Sequence, residues 1–272
     1  MIKLAVFDVD GTLRDREYMP DSTRAALQRL RERGIALALC TGRSEHEMAS
    51  LREELGIDWA VTCNGSHVGY RGKTVLGSAF AAETVKQWLT EAEAKDHGLV
   101  LYGSERMLTN RPDSPWFRQA QREIGFMEPD PIASPEHPVP DIYQCIVFCD
   151  EQEETGYLSV PLASPDTVQA YYTHRWRPWA IDINPAGMNK AVGLRRLLDH
   201  LGLRAEEVAA FGDGLNDLEM ISSVGSGIAM GNAIEELKAR AAFVTKTMHE
   251  DGIAYAVDQF VLPQLEKRDV RA

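Results

Sequence analysis

The chain has 272 residues, 44% hydrophobic and 26% charged, the balance of an ordinary soluble globular protein with one or two domains. A net charge of -12 argues against nonspecific nucleic-acid binding, which needs clustered Lys and Arg, and any bound anion would need a local cation. No membrane partner and no targeting segment are expected, because the N-terminal apolar run is too short for a signal-peptide core or a span.

The first third alternates strand and helix. Ile2 to Phe7 is a continuous apolar run that predicts a short buried strand, and it ends in Asp8-Val9-Asp10-Gly11-Thr12-Leu13. Two carboxylates crowded at a strand end cost Coulomb energy unless a cation or a phosphate-handling site uses them. Pro20-Asp21-Ser22-Thr23 opens a helix that Gly34 stops. A second apolar strand, Ile35 to Cys40, runs into Thr41-Gly42-Arg43. Ser44 with Glu47 forms a capping-box pattern for a helix to Leu55, closed by Gly56. Trp59 to Cys63 is a third strand, ending at Asn64-Gly65. Strands buried on both faces and joined by helices predict an α/β doubly wound parallel sheet.

From about residue 66 to 183 the rhythm changes. A hairpin centred on Arg71-Gly72-Lys73 precedes a polar helix over 83–97, strands near 99–103 and 106–110, and a helix near 114–124. After a Pro-rich loop, Pro129 to Pro140, come a strand from Tyr143 to Cys149 and another near 168–173. This mixture predicts an inserted α+β cap with an antiparallel sheet. From Ile181 the α/β pattern is expected to resume. Leu194, Leu197, Leu198 and Leu201 follow amphipathic spacing, and Val208 to Phe211, Gly227 to Met230 and Ala242 to Val244 read as strands. The glycines Gly225, Gly227 and Gly231 imitate a dinucleotide fingerprint, but the third comes one position late. Cys40, Cys63, Cys145 and Cys149 form no CxxC pair and sit in apolar runs, which predicts buried, reduced thiols in a cytoplasmic protein.

In open parallel sheets, ligands bind beyond the carboxyl ends of the strands. Asp8 with Asp10, Thr41, and Asp213 with Asn216 and Asp217 fall there, and Lys190 at the start of the Leu-rich helix is a fourth element. They supply an acidic cluster for a hard divalent ion, plus a hydroxyl, an amide and an ammonium for a phosphoryl group. Mg²⁺ suits this set better than zinc, since no His/Cys cluster accompanies the oxygen ligands.

In this order the motifs resemble the haloacid dehalogenase (HAD) superfamily of phosphohydrolases. The resemblance is to its Cof-like branch, which inserts a large α/β cap. The matching stretches are Phe7 to Leu13, Cys40 to Arg43, Asn64-Gly65, Asn184-Pro185 with Lys190, and Gly212 to Asp217, extended by Gly227 to Ala233 and Glu250-Asp251-Gly252. The resemblance implies a Rossmann-like core from residues 1–82 and 184–272, with a specificity cap over 83–183. It further implies that Asp8 attacks phosphorus to form an aspartyl-phosphate, while Asp10 protonates the leaving alkoxide and then activates water. Thr41, Gly42, Lys190 and Asn216 would hold the phosphoryl group. Asp8, Asp10 through its backbone carbonyl, and Asp213 would hold Mg²⁺, with Asp217 as a further metal ligand. Asp217 would orient Lys190 or a metal-bound water.

The implied activity is hydrolysis of small phosphomonoesters, such as sugar phosphates. A phosphomutase would use the same nucleophile, and a noncatalytic phosphate-binding protein could keep the fold. Substrate choice falls to the cap, where His174, Arg175, Trp176, Arg177 and Trp179 precede the return to the core. These either grip a sugar face, an aromatic ring or a second phosphate, or else the tryptophans pack the cap and the arginines are solvated. Oligomeric state is not legible in the composition.

Overall fold

A computed structural model describes residues 1–136, 138–158 and 171–266. The chain opens with β1 (Leu4–Phe7), α1 (Asp21–Glu32), β2 (Ala36–Cys40), α2 (Glu45–Leu55) and β3 (Trp59–Thr62). Helix α1 forms because Thr23, Ala26, Leu27 and Leu30 make one buried stripe. Helix α2 carries the expected capping box, Ser44 with Glu47, and ends on Gly56 in the left-handed conformation. The hairpin strands β4 (His67–Tyr70) and β5 (Lys73–Gly77) follow, turning at Arg71 and Gly72.

Next come α3 (Ala82–Ala94), β6 (Gly98–Tyr102), β7 (Met107–Thr109), α4 (Pro115–Ile124), the two-residue β8 (Asp130–Pro131), β9 (Gln144–Phe148) and α5 (Thr155–Leu158). Of the strand expected near 168–173, residues 168–170 lie outside the described residues; β10 is Tyr171–Arg177. The remainder comprises β11 (Ala180–Pro185), α6 (Lys190–Leu201), β12 (Val208–Gly212), α7 (Leu218–Ser223), β13 (Ser226–Ala229), α8 (Glu235–Arg240), β14 (Phe243–Val244), α9 (Gly252–Ala256) and α10 (Pro263–Glu266). Among the described residues no helix is long and apolar enough to cross a membrane. All four cysteines are buried and unpaired.

The strands form two sheets. The first has the order β14-β13-β12-β1-β2-β3-β4-β5 and is parallel from β14 to β3. The hairpin extends it as an antiparallel edge rather than leaving it, because β4 pairs with β3. Strand β1 lies between β12 and β2, with Phe7 opposite both Phe211 and Leu39. That register brings the loops after Phe7, Cys40 and Gly212 to one edge, at the point where the strand order reverses.

The second sheet has the order β10-β11-β9-β6-β7-β8 and is antiparallel except for β7 with β8. One face packs against α3 and α5 through Trp88, Leu89, Val147 and Tyr157. On the other face lie Val100, Tyr102 and Ile146, together with Phe117 of α4. Strand β11 belongs to this sheet, so the α/β pattern resumes at α6 rather than at Ile181. Ile181 and Ile183 look like a buried core strand by periodicity alone; their hydrogen-bond partners are Val147 and Cys145.

Candidate active site

Lys190 is buried at the first position of α6, and its ammonium donates to Asp8 Oδ1 and to Asp217 Oδ1, each at 2.6 Å. Two features place it there. The Asn189 side chain caps α6 by accepting from the Val192 amide at 2.9 Å. The Asn64-Gly65 turn packs directly on this helix start: Gly65 has φ +95, and a Cβ there would stand 2.0 Å from the Asn189 carbonyl oxygen. Burial alone would lower the Lys190 pKa, but Asp217 and Asp8 hold it above the ordinary lysine value. Burial pushes the Asp8 carboxyl well up; Lys190 opposes the rise, while Asp217 and Asp213 add to it.

Asp217 has no lone oxygen left. Its Oδ1 accepts from Lys190, and its Oδ2 accepts the backbone amides of Asp213 at 3.0 Å and Gly214 at 2.9 Å. Asp213 is held in turn by the Thr12 hydroxyl, which donates to Oδ1 at 2.8 Å, and by Asn232. Gly11 makes this approach possible, because a Cβ on it would lie 2.3 Å from Asp213 Oδ2. Burial raises the Asp213 carboxyl to about 6, with the Thr12 hydrogen bond opposing.

Asp8, Asp213 and Asp217 offer carboxylate oxygens within 4.8 Å of one another. Three carboxylates around one ammonium leave two negative charges uncompensated, so an all-oxygen cluster of this kind fits a divalent cation. Asp8 and Asp213 are the members with oxygens free of strong partners. The Asp10 carboxylate, expected beside them, turns away: Arg43 donates to it twice, at 2.6 and 2.8 Å. The same guanidinium reaches the Ile124 carbonyl at the end of α4, at 3.3 Å. Arg43 takes up the Asp10 carboxylate, whereas Lys190 is shared by Asp8 and Asp217.

Asp8, Asp10, Thr41, Gly42, Asp213 and Asn216 all line one cavity of about 520 Å³. Lys190 lines an adjoining cavity that shares Asn216. Thr41 is buried and its hydroxyl accepts from the Arg43 amide at 3.2 Å, while the Asn216 amide donates to Asn64 Oδ1 at 3.2 Å. Asp8, Asp10, Thr41, Gly42, Lys190, Asp213, Asn216 and Asp217 therefore meet at one edge of the first sheet.

The family model of haloacid dehalogenase-like hydrolases matches residues 5–257. The chain belongs to this family. It is 34% identical over 248 residues to an HMP-PP phosphatase of Klebsiella pneumoniae, covering 88% of each chain. Among solved structures, a hypothetical protein from Geobacillus kaustophilus HTA426 superposes with a TM-score of 0.86 at 36% identity, over 96% of this chain and 100% of that one. The HAD subclass IIB sugar phosphatase BT4131 gives 0.76 at 28% identity, over 95% and 98%.

Within this HAD hydrolase, the segment from His174 to Trp179 divides between both readings. Trp176 lines the cavity, and its indole donates to Asp182 Oδ1 at 2.8 Å. Trp179 packs on Phe148 and Trp176. Arg175 points to the opposite face and is neither solvated nor near the site: it pairs with Glu154 at 2.7 Å. Arg177 lies over the Trp176 ring at 5.5 Å, and His174 borders the adjoining cavity. Sequence reasoning missed Asp182, Gln144 and the role of Arg43. The signal for Asp182 is visible afterwards: a carboxylate flanked by Ile181 and Ile183 in a strand must face away from the apolar side.

Proposed function

We propose that this hydrolase is a Mg²⁺-dependent phosphatase of small phosphorylated metabolites, working through an aspartyl-phosphate on Asp8. The observation that carries the reading is the Lys190 ammonium clamped between Asp8 and Asp217, both of which line the cavity together with Asp213, Thr41 and Asn216. Asp8 Oδ1 is tied to Lys190, which leaves Oδ2 to attack phosphorus as the ester P–O bond breaks. Asp10, once its carboxyl leaves Arg43, gives the leaving oxygen its proton, then takes one from the water that cleaves the acyl phosphate. Thr41, Asn216 and Lys190 hold the phosphoryl oxygens, and Asp217 positions Lys190. Asp8 and Asp213, with the Asp10 backbone carbonyl, would hold Mg²⁺, which when bound offsets charge between nucleophile and phosphate.

We assign catalysis to residues 1–82 and 184–272 and substrate choice to 83–183, with β11 running through the junction at 184. The acidic surface and four unpaired thiols support a cytoplasmic enzyme that acts on metabolites rather than nucleic acid or membranes.

Phosphate release from a generic aryl phosphate tests the reading. Turnover should require Mg²⁺, vanish with chelator, and fall by at least about 10⁴-fold in Asp8→Asn. Release without any bisphosphate activator separates hydrolysis from mutase action. Unchanged turnover in Asp8→Asn would refute the mechanism.

A further inference from the structure

Alternation along the second sheet sends one set of side chains into its own core and the other set into the cavity. Cys145 and Val147 of β9, with Ile181 and Ile183 of β11, pack in the α3 core. Their neighbours Gln144, Ile146 and Asp182 line the cavity opposite Asp8 and Asp213, as does Tyr102, the cross-strand partner of Gln144.

Buried polar atoms are ordinarily paired, since an unpaired one forfeits its hydration for nothing. Two buried acceptors on this cavity depart from that, and the half-buried Asp182 adds a third oxygen without a partner among the described residues. Gln144 Oε1 and Glu47 Oε1 are buried and accept no hydrogen bond among the described residues; Arg43 Nη1 stands 3.7 Å from the latter, beyond bonding range. Asp182 accepts from Trp176 through Oδ1, and its second oxygen accepts nothing among the described residues. Burial pushes this carboxyl up to about 7, with only the Trp176 hydrogen bond opposing. Beside the Gln144 amide and the Tyr102 hydroxyl, these oxygens leave the wall with acceptors that a ligand's donors can satisfy.

Two further properties narrow the occupant. Trp176 and Phe126, edge to face with ring centroids 6.0 Å apart, give the cavity an apolar side next to Asp182. Eight carboxylates and two guanidinium groups line the same space, and one guanidinium is already paired with Asp10. A second anion on the bound molecule would meet net repulsion.

We propose that this wall selects the leaving group, with Asp182 as the specificity-determining residue. It takes phosphomonoesters whose alcohol half carries O–H or N–H donors on a body that can lie against Trp176, and that bear no second anionic group. The inference rests on the phosphatase reading above. Hydroxyls of a sugar and amino groups of a ring offer the same chemistry, so the test carries both.

The full-length chain with Mg²⁺ is assayed on two size-matched pairs, a hexose monophosphate against cyclohexylmethyl phosphate and an aminobenzyl phosphate against benzyl phosphate, and on a hexose bisphosphate. The donor-bearing member of at least one pair should win by on the order of 100-fold in kcat/KM, because rejecting it strands the acceptors. The bisphosphate should be slower than the monophosphate by about tenfold or more. Asp182→Asn, which keeps the bond to Trp176 but turns an acceptor into a donor, should shrink the winning ratio by at least about tenfold. Gln144→Leu should shrink it by less and serves if Asp182→Asn fails to fold. Ratios near one in both pairs, or ratios unmoved by both substitutions, overturn the inference and leave the phosphatase reading standing. No phosphate from any ester overturns that reading and this inference with it.

Discussion

On the wall built by the first sheet, nearly every polar atom has a partner. Asp217 uses both oxygens, Thr12 and Asn232 hold Asp213, and Lys190 bridges two carboxylates at 2.6 Å. Across the cavity, on the second sheet, Gln144 and Asp182 present oxygens that accept no hydrogen bond among the described residues, and Glu47 adds a third at the margin. On the proposed mechanism the first wall is pre-organised, with groups locked where charge would develop during phosphoryl transfer. The second is left open, so a ligand completes its hydrogen bonds. Rigid pairing suits a step common to all substrates, and unmet pairing suits the step that tells them apart.

If the first wall is held by its ion pairs, removing the shared cation should do the greatest damage. Lys190→Met leaves two buried carboxylates facing each other, and should cost about 3–5 kcal/mol in urea unfolding and roughly a thousandfold in kcat. A variant that keeps wild-type stability would show that the Asp8–Lys190–Asp217 cluster is not what fixes this wall.

On the second wall the expected effect is smaller and depends on pH. Asp182 titrates near 7 in the folded chain against an ordinary 3.8, so between those values the folded state holds a proton that the unfolded chain has lost. Stability therefore falls as pH rises through this window, and the loss is complete above about pH 7. Asp182→Asn mimics the neutral form: it should match the parent near pH 4 and exceed it above pH 7 by roughly 2–4 kcal/mol in thermal or urea unfolding. An offset equal at every pH would remove burial of this charge as its cause.

The least effect is expected where the two walls meet. Asn216→Ala removes one amide from the proposed phosphate pocket, which keeps Thr41 and Lys190, so KM should rise about tenfold with folding intact. A larger fall in kcat than rise in KM would move Asn216 from binding to catalysis.

Much of this molecule is legible in its residues. Apolar runs such as Leu4 to Phe7 are short and unbroken, and the Ser44 and Glu47 pair marks a helix start, because these signals are set by neighbours a few positions away. The strand-end rule then collects Asp8, Thr41, Asp213 and Asn216 at one edge, since parallel strands joined by helices all point the same way. Tertiary structure alone decided the partners. Lys190 meets Asp8 across 182 positions, Arg43 takes Asp10 out of the carboxylate cluster, and Asp182 faces the cavity rather than the core that resumes beyond it. Periodicity tells which residues of a strand share a face; which body that face meets depends on how two sheets dock, and that is settled by packing and charge between segments far apart in the chain.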